Sequence, residues 1–446
     1  MERSSPPPRR EVLAALATGT GIALSGCNGS PGTDPRSETT TNTSTNGDEV
    51  QIDAPDTASW DEPFDVTAEG LPSAETVDVL VSGEDAEGSS FEGRATVETG
   101  DGTVSLTEAT VVSESDDPLE GVVPGDVDVP LPLSLFQFAS PLTLRAYSRP
   151  DEQALTYTVE REGETLGTAS VTRRHPDVSS YVEPDDPELS GLLYEPTDGE
   201  TGPGIVVLHG SGGNPSYRPA ALLASRGYTV FALHYFSGEN LPTDLSEIPI
   251  EYVSRAGEWL RERETTDGEQ IGLYGASRGG ELALLAGSEF DLFGPVVSIS
   301  GSGLVWEGIT EDWAEQTDTS AWSRDGDPVP YVDTENWYAD PDSLSDETIE
   351  DASIPVENIE GRVLLVSGAD DTLWSSVDFH EVAVDRLDEH GHPDYEHLVY
   401  EGAGHFFISP YMPVIGSIEY GGTYEGAAEA SHDHWRAVLD TFSTLK

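Results

Sequence analysis

The chain has 446 residues, 36% of them hydrophobic, which gives room and apolar material for two or three domains with real cores. Asp and Glu number 84 against 21 Lys and Arg, a formal net charge of −63, and the only lysine is Lys446. That balance excludes a basic surface for nucleic-acid phosphates, and the single cysteine, Cys27, excludes an intrachain disulfide.

So many carboxylates would suit a disordered chain, but the periodic strands and helices downstream oppose that reading. The expectation is a folded, halophilic protein with a carboxylate-rich surface. In molar salt the Debye length falls to about 3 Å, and self-repulsion between surface carboxylates is largely screened.

Residues 1–27 read as an export signal. Arg9-Arg10 precede an apolar run, Val12 to Leu24, that is too short to span a membrane. The run ends in Leu24-Ser-Gly-Cys27, which looks like a lipobox: Cys27 would be lipidated and become the mature N-terminus. The paired arginines suggest the twin-arginine route, so the expected location is the cell surface, with the lipid anchor as the only membrane contact. Residues 28–49 are rich in Ser, Thr, Asn and Gly and read as a flexible spacer, with a glycosylation sequon at Asn42-Thr-Ser44.

Residues 50–175 show short β-rich runs separated by Gly-Asp, Glu-Gly and Asp-Gly turns. Examples are Phe64–Ala68, Thr76–Ser82, Arg94–Glu98, Val104–Leu106, Leu142–Ala146 and Ala154–Glu160. No helical period of comparable length is visible, so the expectation is a β-sandwich of immunoglobulin-like size without its disulfide. Asp116 to Phe138 is irregular, Pro-rich and apolar; it wraps the sandwich or reaches toward the second domain.

Residues 176–446 alternate strands with helices. Gly204–Leu208 is a buried strand leading into His209-Gly-Ser-Gly-Gly213; Tyr217–Arg226 is a helix and Tyr228–Leu233 a strand. Ile250–Arg263 is an amphipathic helix, and Gly294–Ser300, Arg362–Ser367 and Tyr395–Tyr400 are further strands. This predicts an α/β fold with a mostly parallel sheet covered on both faces, and ligands gathered at the carboxyl ends of its strands.

Three such strand ends carry chemistry. Gly275-Ala-Ser-Arg-Gly279, between the strand Ile271–Tyr274 and the helix Gly279–Gly287, fits Gly-x-Ser-x-Gly. In that pattern a serine stands on a sharp strand-to-helix turn, above backbone N–H groups that can meet an oxyanion. Strand 362–367 runs into Gly368-Ala-Asp-Asp371, and strand 395–400 into Glu401-Gly-Ala-Gly-His405. The order Ser, acid, His is that of an α/β-hydrolase. The expected triad is Ser277, Asp370 and His405. Asp370 is preferred as the first acid off the strand, which leaves Asp371 to brace the loop. The expected oxyanion donors are the backbone N–H groups of Arg278 and of Ser211 or Gly212.

His209 is expected to shape the oxyanion loop. His234 and Trp374 are candidates for the substrate pocket. His390/His392 and His432/His434 form His-x-His pairs with no further ligand at motif spacing, and are read as solvent-exposed helix ends. No metal or cofactor is expected.

Several runs resemble the acyl-CoA thioesterase / bile acid-CoA:amino acid N-acyltransferase family. Gly272-Leu-Tyr-Gly-Ala-Ser-Arg-Gly-Gly-Glu-Leu282 is similar to its nucleophile segment, Asp370-Asp-Thr-Leu-Trp-Ser375 to its acid loop and Gly402-Ala-Gly-His405 to its histidine loop. Ser59-Trp-Asp-Glu-Pro63, Tyr217-Arg218, Leu222-Leu-Ala-Ser-Arg-Gly-Tyr228, Glu239-Asn-Leu-Pro242 and Ile354-Pro-Val-Glu357 extend the likeness over roughly residues 50–446. The resemblance implies a β-sandwich before an α/β-hydrolase domain, and thioester cleavage by Ser277, Asp370 and His405. The amino-acid-conjugating branch of the family uses a cysteine nucleophile. An acyl-thioester enzyme yields to an amine more readily than an oxyester, so Ser277 favours water as acceptor. The expected substrate is a small acyl ester or thioester, acyl-CoA among them. Acyl transfer to an amine, or ligand binding by a non-catalytic surface lipoprotein, is the alternative. Oligomeric state is not legible.

Overall fold

The computed structural model describes residues 50–113, 127–142, 152–174, 179–182, 184–196, 200–310, 315–339, 344–407 and 409–446. The expected export signal with Cys27, the spacer and the sequon at Asn42 lie outside the described residues, as does most of the strand expected at Leu142–Ala146.

The N-terminal unit holds two sheets. The larger has six strands in the spatial order Thr57–Ser59, Glu164–Arg174, Glu152–Arg161, Thr76–Glu84, Ser90–Glu98, Val111–Ser113. The smaller joins Gln51–Asp53, Thr67–Glu69 and Thr103–Ser105. Period-two alternation sets which face is buried: along Ser90–Glu98, Phe91, Gly93, Ala95 and Val97 point inward while Glu92 and Arg94 point out. Val66 and Val104 from the small-sheet side share one apolar core with Val79, Val97 and Tyr157 of the large sheet. Strand Glu164–Arg174 went unpredicted. It returns from Glu152–Arg161 through Glu162-Gly163, both at positive φ (51° and 81°), the primed-turn geometry whose twist matches a hairpin.

The irregular stretch 116–138 contains a helix that its prolines concealed. Helix α1, Leu131–Gln137, follows Pro130, and all seven of its residues are buried. A proline in the first turn is compatible with a helix, because the N–H it lacks has no intrahelical partner there.

The second unit is built on an eight-stranded sheet: β1 (Ser179–Val182), β2 (Gly191–Glu195), β3 (Gly202–Leu208), β4 (Thr229–Leu233), β5 (Thr266–Ala276), β6 (Phe293–Ile299), β7 (Val363–Gly368) and β8 (Tyr395–Tyr400). Their spatial order is β1-β2-β4-β3-β5-β6-β7-β8. β1 and β2 pair antiparallel and β2 runs antiparallel to β4, while every later pairing is parallel. Central strands β3, β4, β6 and β7 are buried at every residue, as a sheet covered on both faces requires. The covering helices include α2 (Tyr217–Ala224), α3 (Glu251–Arg261), α4 (Arg278–Glu289), α5 (Ser376–His390) and α6 (Tyr424–Ser443).

The two units are joined by buried polar contacts. Asp61, its side chain wholly buried, accepts hydrogen bonds from Ser59 Oγ (2.6 Å), Trp435 Nε1 on α6 (3.0 Å) and Arg226 Nε beyond α2 (3.1 Å). Arg173, on the last strand of the large sheet, donates to Trp60 O (2.6 Å) and across to Tyr411 O (3.4 Å), its guanidinium 4.5 Å from the Trp60 ring. The segment Ser59–Pro63 is therefore a clasp between the units.

Candidate active site

β5 runs straight into α4, and the turn between them is Ser277 at φ 55°, ψ −126°. A non-glycine residue there stores about 1–3 kcal/mol of backbone strain, held in place by the Ser277 N–H on Ile299 O (2.8 Å) and by Ser277 O capping Gly280 (2.9 Å). The flanking glycines have a steric reason. A Cβ on Gly275 would overlap the Gly279 carbonyl, and one on Gly279 would press on the carbonyls of Leu208 and His209 where β3 ends. This is the geometry of a nucleophile elbow.

Opposite it lies the loop His209–Gly213. A Cβ on Gly210 would sit 3.3 Å from Ser277 Cβ, so this loop passes against the serine. Its shape is fixed from inside. His209 Nδ1 meets Gly210 O at 2.8 Å, the His209 ring stacks on Tyr235 at 4.0 Å, and the Tyr235 hydroxyl donates to His209 O. His234 Nε2 meets Gly213 O at 2.9 Å, so His234, expected to line the pocket, stands at the loop as a brace. Burial holds the His209 imidazole down to about 3, so it stays neutral. The Ser211 peptide follows Gly210, whose carbonyl accepts from Gly213 N–H (3.4 Å), while Gly212 faces open space.

The histidine and its acid come from the ends of β8 and β7. His405, 2% exposed, places Nδ1 2.7 Å from Asp371 Oδ2. The other oxygen, Asp371 Oδ1, accepts the backbone N–H groups of Leu373 (3.0 Å) and Trp374 (2.9 Å). Asp371 is thus fixed by three hydrogen bonds with its side chain 1% exposed. The expectation that Asp370 would meet His405 is corrected. After Gly368 the chain turns, Asp371 N–H bonding Gly368 O at 3.3 Å, and Ala369 and Asp370 form the exposed corner. Asp370 sends its carboxylate outward to the Gly402 N–H (3.0 Å) and braces the histidine loop, the part expected of Asp371.

Behind the serine, Arg278 and Glu281 of α4 form a buried pair (2.9 Å). Arg278 donates to Glu307 O (2.7 Å), and Glu281 accepts from Trp322 Nε1 (2.6 Å) and Trp306 N (3.1 Å). Burial pushes the Glu281 carboxyl up to about 7 despite the adjacent guanidinium. This pair ties the elbow helix to the segment above it, a role the sequence did not reveal. Trp374 donates to Gly301 O (3.2 Å) and stacks edge-on against Trp306 and Phe379 at 5.3 and 5.0 Å, half-buried in that aromatic cluster.

Sequence reasoning also missed a buried chain beneath the acid loop. His380 on α5 meets Ser298 Oγ through Nε2 (2.9 Å) and Ser367 Oγ through Nδ1 (2.8 Å); Ser367 also lies 3.0 Å from His397 Nε2. Burial drives His380 well below the ordinary histidine value and His397 down to about 4. The available signal was His380 on the apolar side of its helix, with Ser376, Phe379, Ala383 and Leu387.

The His-x-His pairs are only partly as expected. His390 is a half-exposed end of α5, but His432 and His434 lie within α6 and are buried against Tyr411 and Phe407. Their Nδ1 atoms meet the carbonyls of Glu429 (3.1 Å) and Ala430 (2.6 Å), so both rings are structural.

Residues 248–445 match the family model described as BAAT / Acyl-CoA thioester hydrolase C terminal. Over these residues the chain is similar to that family. The span includes Ser277, Asp371 and His405 and leaves out the 209–213 loop and the N-terminal unit. Human acyl-coenzyme A thioesterase 1 is 29% identical over 412 residues, covering 86% of this chain and 93% of its own. Human mitochondrial acyl-coenzyme A thioesterase 2 is 28% identical over 416 residues, covering 86% and 81%. Among solved structures, a dienelactone hydrolase-like phosphotriesterase from metagenomic libraries is 19% identical at a TM-score of 0.41, covering 60% of this chain and 99% of its own.

Proposed function

We propose that this chain is a serine hydrolase that cleaves acyl thioesters, acyl-CoA included, or carboxylic esters, with Ser277 as nucleophile, His405 as base and Asp371 as orienting acid. The observation that carries it is the buried 2.7 Å contact of His405 with Asp371, on the loops that follow β8 and β7 of the sheet whose β5 ends in the Ser277 elbow. The thioesterase names of the relatives in both units support the thioester reading.

In this mechanism Ser277 Oγ attacks the carbonyl carbon and His405 Nε2 takes its proton. Asp371 holds the Nδ1–H tautomer and stabilises the imidazolium that forms. The oxyanion meets the N–H of Arg278, first in α4 and without an intrahelical partner by helix geometry, together with the Ser211 N–H. A trans peptide supports Ser211 over Gly212: the Gly210 carbonyl is turned into its own loop, and the N–H of the same peptide points the other way. His405 then protonates the leaving thiolate or alkoxide, and water repeats the sequence on the acyl-enzyme. A serine ester favours water over an amine, so hydrolysis is preferred to conjugation.

The N-terminal unit is read as an immunoglobulin-like sandwich, supported by its two sheets on one core. The Arg9-Arg10 and Cys27 signals support export as a lipid-anchored surface protein of a halophile. Cys27→Ser should release the protein from the membrane fraction; unchanged fractionation refutes lipidation.

The deciding experiment is a fluorophosphonate probe on the mature protein in high salt, with the adduct mapped by mass spectrometry. A single adduct on Ser277, absent in Ser277→Ala, is expected. An unlabelled wild type, or equal labelling of the variant, refutes the proposal.

A further inference from the structure

The residue that follows the nucleophile, Arg278, is held at both ends. Its backbone continues from Ser277 at φ 55°, ψ −126°, a conformation that persists only where the surroundings over-determine it. Its side chain, 2% exposed, is fixed by what surrounds the guanidinium: Glu281 Oε2 at 2.9 Å, Glu307 O at 2.7 Å and Trp306 O at 3.3 Å. The guanidinium carbon also lies 5.8 and 5.5 Å from the ring centroids of Trp322 and Trp374, within cation–π range. Trp374 belongs to the acid loop: its backbone N–H is one of the two that Asp371 Oδ1 accepts, and its indole N–H is tied to Gly301 O. One buried cation thus packs against the loop that carries the acid, while its own backbone forms the elbow.

Glu281 is what lets that cation stay. A guanidinium withdrawn from water needs an opposite charge beside it, and the two carbonyls supply only dipoles. Each partner of the Glu281 carboxylate is a donor, Arg278 Nη1, Trp322 Nε1 and the Trp306 N–H, a set that suits the ionised form. A lone carboxylate in the first turn of α4 would repel an oxyanion, and the pairing with Arg278 cancels that charge.

We infer that Glu281 is a positioning residue for the reaction: through the Arg278 guanidinium it holds the Arg278 N–H at the oxyanion and keeps the Asp371 loop in register with Ser277. The inference rests on the reading of Ser277, His405 and Asp371 as the triad. Glu281, its side chain wholly buried, acts only through Arg278. The titratable groups that face it are Arg278 on α4, Glu307 on the segment above and Tyr235 after β4. Burial holds Glu307 above the usual carboxylate range and the Tyr235 hydroxyl far above its own, so Tyr235 stays neutral.

The test compares kcat and KM for a short p-nitrophenyl ester in high salt, wild type against Glu281→Gln, with rates expressed per Ser277 that a fluorophosphonate labels at end point. That normalisation removes any unfolded fraction. At pH 8 the variant should lose about ten- to hundredfold in kcat with KM nearly unchanged, as when an oxyanion donor shifts and ground-state binding does not. The wild-type-to-variant kcat ratio should shrink as the pH falls from 8 to 6. Over that range the wild-type carboxyl, raised to about 7, takes up a proton and then carries no more charge than glutamine. The triad and Glu307 are common to both enzymes and cancel in the ratio. Asp61→Ala, which removes a buried carboxylate from the clasp, controls for lost stability and should keep kcat per labelled site close to wild type. An unchanged kcat per labelled site in Glu281→Gln, a loss confined to KM, a ratio indifferent to pH, or an equal loss in Asp61→Ala overturns the positioning role alone. Absence of label at Ser277 in the wild type overturns the hydrolase reading and this inference with it.

Discussion

His405 Nδ1 lies 2.7 Å from Asp371 Oδ2, while the neighbouring Asp370 turns its carboxylate to the Gly402 N–H on the histidine loop. Two adjacent carboxylates thus divide the work: one orients the imidazole, the other fixes the loop that carries it. Substitutions should separate them. Asp371→Asn is expected to lower kcat by about 10³–10⁴-fold, because the amide no longer holds the productive tautomer. Asp370→Asn removes only an exposed brace and should cost less than about tenfold. Initial rates on a short p-nitrophenyl ester decide it, and the reverse ranking would return the acid role to Asp370.

The clasp between the units should be worth more than its surface neighbours. Asp61 is buried with three donors on it, so Asp61→Ala strands the Trp435 indole N–H and the Ser59 hydroxyl and leaves Arg226 with Glu62 alone. A loss of about 3 kcal/mol is expected. Glu62, half-exposed against the same arginine, should cost under about 1 kcal/mol as Glu62→Gln. Denaturant midpoints at constant salt compare the two.

A buried neutral histidine makes stability depend on pH in a fixed direction. His380 is held well below 6.5 in the folded chain, so only the unfolded chain takes up its proton as pH falls. Its contribution is therefore complete above about pH 6.5 and is lost progressively below that value. His380→Gln should cost about 1 kcal/mol more at pH 7.5 than at pH 5.5. Equal costs at both values would show that His380 protonates alike in the two states.

With a formal charge of −63, the chain should depend on salt to stay folded. Lowering salt from molar to 0.1 M lengthens the Debye screen from about 3 to about 10 Å and restores repulsion between surface carboxylates. The thermal midpoint should fall steeply over that range and recover on readdition. A midpoint indifferent to salt would leave the acidic surface without the purpose assigned to it.

Much of the second unit is visible in the sequence because its signals are local. Buried strands such as Ile205–Leu208 and Val363–Val366 are unbroken apolar runs, and Gly275-Ala-Ser-Arg-Gly279 spells its own turn. The choice between Asp370 and Asp371 was not local. It depends on where a turn at Ala369–Asp370 points, and that is set by the Ala403 carbonyl across the sheet holding the Asp370 N–H. Helix α1 was hidden because Leu131–Gln137 is buried on all sides and shows no amphipathic period. Arg173 and His380 carry no motif and acquire their parts only from residues remote in sequence; Glu281 stands in the nucleophile segment, but its bonds to Trp306 and Trp322 come from far along the chain.

The clasp at Asp61 also sets a condition on assembly. Asp61 and Trp435, which donates to it, stand 374 residues apart in sequence. The seam between the units therefore closes only when Ser59–Pro63 of the first and α6 of the second are both in place. Removing α6 would take away the indole that holds Asp61 and unfasten the front of the molecule from the back.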